Sequence, residues 1–246
     1  MPKVEPVEPG TCRETRQPLH VPSTLELRNL PDRLADHLAV MIAKGELKPG
    51  QRIFEKQICE VQGVSRIPVR EALRLLQAQG VVRTEPNRGT YVTEFTSDEM
   101  YEMLELRHAV ERLALSRILE RGISRPQIAL HFSGVFQAMR RAATLKDHLA
   151  YCQADLAFHH RIVELSASPV LKPTWQLLSR GVLVFLLQEQ KDTEDFEGII
   201  EEHERLVAIL QSGCRQAVEA EIECHILERI RLERARAAAR VPATPV

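Results

Sequence analysis

A mainly α-helical chain in two parts is predicted by three observations. Aromatic residues make up only 4% of the 246 residues, while Leu, Ala, Glu and Arg abound, a mix that favours helices over sandwich strands. Apolar residues recur at helical spacing along most of the length. One stretch, Val81 to Phe95, alternates like paired strands around Pro86-Asn87-Arg88-Gly89. A hydrophobic content of 44% and a charged content of 27% are those of an ordinary globular protein.

The elements follow in order. Residues 1–25, with five prolines in the first 22, have no usable apolar period and are expected to be a disordered tail. Pro31 to Lys44 carries Leu34, Leu38, Met41 and Ile42 on one helical face and stops at Gly45. Phe54 to Val61 makes a short second helix that Gly63 ends, and a third runs from Ser65 to Gln79, before Gly80. Val81 to Glu85 and Thr90 to Phe95 form a hairpin. Helix then follows helix: Asp98 to Arg121, a second from Ser124-Arg125-Pro126, a third from Lys146 to Ser166, a fourth opened by Ser168-Pro169, then Glu194 to Gln211 and Arg215 to about Ala238. The expected fold is therefore a winged helix-turn-helix over 26–95 (three helices plus a two-stranded wing) and a six- or seven-helix antiparallel bundle over 96–238, with a flexible tail at 239–246.

Composition narrows the setting. Arg28 to Phe95 holds 11 Lys+Arg against 8 Asp+Glu, while Thr96 onward holds 19 against 22. A mildly basic module joined to a mildly acidic one suits a polyanion binder, although a difference this small decides nothing alone. The five cysteines are scattered and include no C-x-x-C pair, which argues against a disulfide framework and for a reducing compartment. Apolar runs such as Val182 to Leu187 fall far short of a membrane span, and the first residues lack the apolar core of a secretory signal. The cytoplasm is expected.

The third helix has the chemistry of a DNA reader. Arg66, Arg70 and Arg74 lie four apart in one basic stripe, while Val69, Leu73 and Leu76 supply the core side. A guanidinium fork can read a guanine edge bidentately in the major groove. Ser65 can cap the helix, whose positive end then faces phosphate, and Arg88 at the hairpin tip can reach a neighbouring groove. The segments GELKPGQRI from Gly45, GVSRIPVREALRLLQAQGVV from Gly63 and RGTYV from Arg88 resemble the GntR family of bacterial regulators over about 65 residues. That resemblance implies DNA contacts at Ser65, Arg66, Pro68, Val69 and Arg70 and at the wing residues Arg88 and Gly89; helix geometry adds Arg74. Ile58-Cys59 stands where the family commonly has Leu-Ala.

The bundle carries a second constellation. Asp155 and His159 are four apart on one helical face, His203 sits among Ile199, Ile200, Leu206, Val207 and Leu210, and His225 follows Val218 and Ile222 at helical spacing. One carboxylate and three imidazoles directed into a core are costly unless something joins them, and a divalent metal would. Such N/O ligands suit zinc, nickel, manganese or iron. Arg107 shares the apolar face of its helix and needs an anion there, either Glu111 at i+4 or a bound ligand. This pattern resembles the FCD-type effector domain of the FadR subgroup from about Met100 to Leu232. The resemblance implies that Asp155, His159, His203 and His225 hold a metal that helps bind a small organic acid, with Arg107 on the acid's carboxylate. Ser168 stands where that family usually has Asn before a proline.

No P-loop, G-x-S-x-G or Gly-rich dinucleotide turn is present, and a di-iron bundle would need a second Glu-x-x-His beside Glu105 to His108. An enzyme is not expected. The expectation is a cytoplasmic homodimer that binds a double-stranded operator, with affinity controlled by a small carboxylic acid at a zinc, nickel or manganese site. A ligand-independent or metal-responsive regulator is the alternative.

Overall fold

Three short helices open the structure, a computed structural model that describes residues 30–189 and 195–228. Both expected tails, and any continuation of the last helix past Glu228, lie outside those residues. Helix α1 (Leu30–Ala43) buries Leu34, Leu38 and Ile42, one stripe at helical spacing. Helix α2 (Glu55–Gln62) ends at Gly63, whose φ of +63° lets its amide bond back to the Cys59 carbonyl. Its Ile58 and Cys59 pack partly buried against the reader's core. Helix α3 (Arg66–Ala78) buries Val69, Ala72, Leu73 and Leu76.

The wing is larger than the sequence predicts. Strands β2 (Val82–Glu85) and β3 (Gly89–Val92) pair antiparallel. A further strand, β1 (Arg52–Ile53), pairs with the other edge of β3, giving a three-stranded sheet in the order β1-β3-β2. Two residues carry no readable period. It is the partner that makes them a strand, since Gly50 N donates to Val92 O and Val92 N to Gln51 O.

Among the described residues, six helices form the second part: α4 (Ser97–Glu120), α5 (Arg125–Leu145), α6 (His148–Leu165), α7 (Leu171–Glu189), α8 (Phe196–Ser212) and α9 (Arg215–Glu223). Caps set their starts. Thr96 and Glu99 close a capping box on α4, and Ser124 and Gln127 another on α5. Asp147 caps α6, so that helix begins two residues after Lys146, which instead ends α5 in the left-handed conformation. Ser168 Oγ accepts from Leu171 N, the capping bond expected of it, with regular helix beginning at Leu171. Helix α9 continues into a π-helical turn over Cys224–Glu228.

Most of the bundle core, including the fully buried Trp175, Phe132 and Phe158, is one apolar cluster, and a smaller one gathers Met139, Tyr151, Phe196 and Ile200. A further cluster joins Leu38, Leu73, Leu76 and Val92 of the reader to Val182, Leu183, Leu186 and Leu187 of α7. Helix α7 thus packs on α1 as well as on its own bundle. Arg180 crosses the same seam, with Nε to Asp36 Oδ1 at 2.9 Å, one terminal nitrogen to Asp32 Oδ1 at 3.3 Å and the other to the Gln79 carboxamide at 3.0 Å. Each fully buried aliphatic side chain contributes roughly 1.5–3 kcal/mol, against at most about 1 kcal/mol for an ion pair with exposed partners. Packing therefore holds the seam and Arg180 sets its register. Beside it, a Cβ on Gly181 would lie 2.7 Å from Met103 Sδ, a contact the flexible Met103 side chain would have to relieve.

Candidate metal centre and nucleic-acid interface

One helical turn of α6 places Asp155 and His159 on the same inward face, where both are buried. His203 reaches them from α8, and His225, also buried, from the π turn that continues α9. His203 Nε2 lies 3.3 Å from His159 Nε2, and His225 Nε2 lies 3.4 Å from it. Asp155 Oδ1 is 3.1 Å from His203 Nε2 and Oδ2 is 3.9 Å from His159 Nε2. The three imidazoles form one group within ligand distance of each other, and Asp155 borders it on the His159–His203 side.

These distances fit a metal. Four nitrogen or oxygen ligands about 2.1 Å from a tetrahedral ion stand roughly 3.4 Å apart. Asp155 Oδ2 is buried and has no hydrogen-bond partner among the described residues, an anionic oxygen that calls for a cation. His203 Nδ1 donates to the Ile199 carbonyl at 2.6 Å, which in the neutral ring turns a bare Nε2 toward the cluster.

The electrostatics favour ligand-ready protonation states. Burial pushes Asp155 up, but its contact with His203 and its closeness to His159 and the Arg107 guanidinium outweigh that and hold the carboxyl well below its ordinary range. Burial and the Arg107 charge push His159 below its usual 6.5 in spite of Glu111. Burial, reinforced by His203, His159 and Arg107, pushes His225 lower still. Both rings are thus free bases at neutral pH, as coordination requires.

Arg107 is buried, and its Nε donates to Glu111 Oε1 at 2.8 Å, the i+4 pair that the spacing offers. Sequence reasoning missed the other half of that contact. Glu111 Oε2 lies 2.5 Å from His159 Nδ1, joining α4 to the cluster.

At the opposite end, Arg66, Arg70 and Arg74 form the exposed stripe of α3. Arg70 pairs with Glu55 at 2.9 Å and Arg74 with Glu71 at 2.5 Å. Ser65 occupies the N-cap position of α3 but makes no capping hydrogen bond with its side chain. Pro68 is partly exposed. Val69 is the correction: its side chain is fully buried in the reader's core, so it packs and can offer DNA no side-chain contact. Arg88 is exposed at the wing tip. Gly89, at φ +114°, holds a backbone conformation that strains any other residue, and its Cβ position lies against the Arg52 side chain. Arg52, on β1 beside Gly89, is a further cation of the wing that no motif singles out.

An exposed arginine helix and wing, packed on a helical bundle, define a winged helix-turn-helix transcription regulator with a helical C-terminal domain. Comparison with known proteins gives the family. The chain matches bacterial regulatory proteins of the gntR family over residues 30–92 and the FCD domain over 102–228, and it belongs to the GntR family with an FCD domain. The probable D-xylose utilization operon transcriptional repressor of Paenarthrobacter nicotinovorans is 27% identical, over 79% of this chain and 84% of that protein. The gluconate operon transcriptional repressor of Bacillus licheniformis is 25% identical, over 74% and 76%. The solved structure of E. coli McbR/YncC superposes with a TM-score of 0.71 at 21% identity, covering 85% of this chain and 98% of that one. These families are regulators, not enzymes, and the present chain is a GntR-family transcriptional regulator. No helix among the described residues is long and apolar enough to cross a membrane.

Proposed function

We propose that this regulator is a cytoplasmic homodimer whose operator affinity is controlled by a small carboxylic acid bound at a divalent metal in the bundle. One observation carries the reading: three buried imidazole Nε2 atoms and a buried carboxylate converge at ligand spacing. In this reading Asp155, His159, His203 and His225 hold zinc, nickel or manganese, and the ion supplies a positive point against which a carboxylate can bind. Arg107 commits its Nε to Glu111, and its terminal nitrogens are the donors assigned to the acid. A relative named for the gluconate operon lends support, since gluconate is such an acid.

The reader, residues 26–95, then places α3 in the major groove. Ser65, Arg66, Pro68, Arg70 and Arg74 face the DNA, and Arg88 and Gly89 approach from the wing. The effector and dimerisation unit is 96–238. Exposed aliphatic side chains on neighbouring helices, Leu106 and Leu113 of α4 with Leu177 of α7, supply an apolar face for a second copy. The Arg180 seam gives a bundle rearrangement a route to the reader.

Elemental analysis of protein purified without a tag or chelator, followed by gel shifts with and without gluconate and related acids, tests the reading. One ion per chain and an acid-dependent change in operator affinity are expected. Metal-free protein that zinc, nickel and manganese all fail to stabilise would refute it.

A further inference from the structure

We propose that Glu111 is a positioning residue of the metal centre, fixing which nitrogen of His159 faces the ion and how strongly it binds. The inference rests on the reading that Asp155, His159, His203 and His225 share a metal, and it adds a residue from α4, a helix that supplies none of the four. Glu111 and His159 are fully buried and Arg107 nearly so. Glu111 is bound at both oxygens, Oε1 by Arg107 Nε at 2.8 Å and Oε2 by His159 Nδ1 at 2.5 Å.

A carboxylate paired to a guanidinium can only accept hydrogen bonds. The hydrogen of neutral His159 must therefore sit on Nδ1, leaving the Nε2 lone pair to face His203 Nε2 and His225 Nε2 at 3.3 and 3.4 Å. Carboxylate bonding also makes an imidazole a better donor to metal. The three rings are held by different grades of partner. His159 has a carboxylate and His203 the Ile199 carbonyl, whereas His225 Nδ1 has no hydrogen-bond partner among the described residues, with Glu202 Oε2 at 3.8 Å. His159, whose Nε2 neighbours both other rings, has the strongest anchor. Arg107 acts through Glu111, neutralising the carboxylate and keeping it turned away from the ion.

The substitution Glu111→Gln has a particular consequence. Arg107 has only hydrogens to offer, so it takes the carboxamide oxygen, and the amide NH2 then faces His159 Nδ1. An NH2 group donates, which forces the ring hydrogen onto Nε2 and blocks the ligand atom. Glu111→Asp keeps the charge at shorter reach and should restore part of the function.

The test pairs imidazole nitrogen NMR on the metal-free full-length protein with zinc affinity measured by chelator competition. Wild type should show the Nδ1–H tautomer at His159. Glu111→Gln should show Nε2–H there and bind zinc about 10- to 100-fold more weakly, with Glu111→Asp in between. An Nε2–H tautomer at His159 in wild type overturns the proposal, even if the Gln variant fails to fold. Zinc affinity equal in wild type and Glu111→Gln overturns it while leaving the metal site standing. Wild type that binds no zinc removes the metal site itself and the proposal with it.

Discussion

Arg70 and Arg107 make the same bond in opposite settings. Each donates through Nε to a glutamate, Arg70 to Glu55 at 2.9 Å and Arg107 to Glu111 at 2.8 Å. The Arg70 side chain is 57% exposed and the Arg107 side chain 6%. On the surface such a pair is worth about 0–1 kcal/mol, so the arginine can exchange its carboxylate for phosphate or guanine at little cost. In the core, water no longer competes, and neither partner can be withdrawn without leaving a buried charge. Exposure, not bond length, separates an arginine free to release its carboxylate from one whose Nε bond to glutamate is built into the fold.

Chemical denaturation breaks this comparison most directly. Arg107→Met should cost about 3–5 kcal/mol, because Glu111 is left charged and buried, whereas Arg70→Ala should stay within about 0.5 kcal/mol of wild type. Equal losses would erase the distinction. His203→Ala comes next. An ion at a hundredfold excess over its Kd adds about 2.7 kcal/mol, so the metal-loaded wild type should melt roughly 5–10 °C above the variant, with elemental analysis showing the ion lost.

The surface side of the comparison is read in operator binding. Arg66→Ala and Arg70→Ala should each weaken specific binding by about 1–3 kcal/mol at constant salt. Their neighbour Val69→Ala should instead lower stability by roughly 1–3 kcal/mol. Gel shifts in which Val69→Ala lost specificity without losing stability would contradict its burial.

Acidification gives the smallest effect and sharpens the buried side. His159 and His225 are held below 6.5, so below that pH the unfolded chain binds more protons than the folded one. Stability of the metal-free protein is then full above about pH 6.5 and declines as pH falls. Glu111 and Asp155, held below their ordinary 4.5 and 3.8, act with the same sign further down. Melting temperatures that rose on acidification from pH 7 to 5 would mean that the two imidazoles are charged in the fold.

What the sequence disclosed depended on how local each signal is. The four-residue step from Asp155 to His159 and the apolar stripe around His203 gave the inward faces directly. Glu111 was legible only as the partner of Arg107, four residues away, because its contact with His159 spans 48 residues and leaves no trace in periodicity. Strand β1 was hidden for the same reason, being created by pairing with β3 rather than by its own two residues. Val69 shows two signals in conflict. Family pattern placed it among DNA contacts, while its spacing with Leu73 and Leu76 placed it in the core, where the structure has it.

The Arg180 seam bears on how such regulators can be recombined. A bundle grafted onto a foreign reader would bring Arg180 to a surface lacking Asp32, Asp36 and Gln79, stranding a guanidinium that is 12% exposed. It would also bring Val182, Leu183, Leu186 and Leu187 to a helix not shaped for them. A working chimaera therefore has to be cut so that α1 and the end of α3 travel with α7, and the unit of exchange is larger than the bundle that starts at α4.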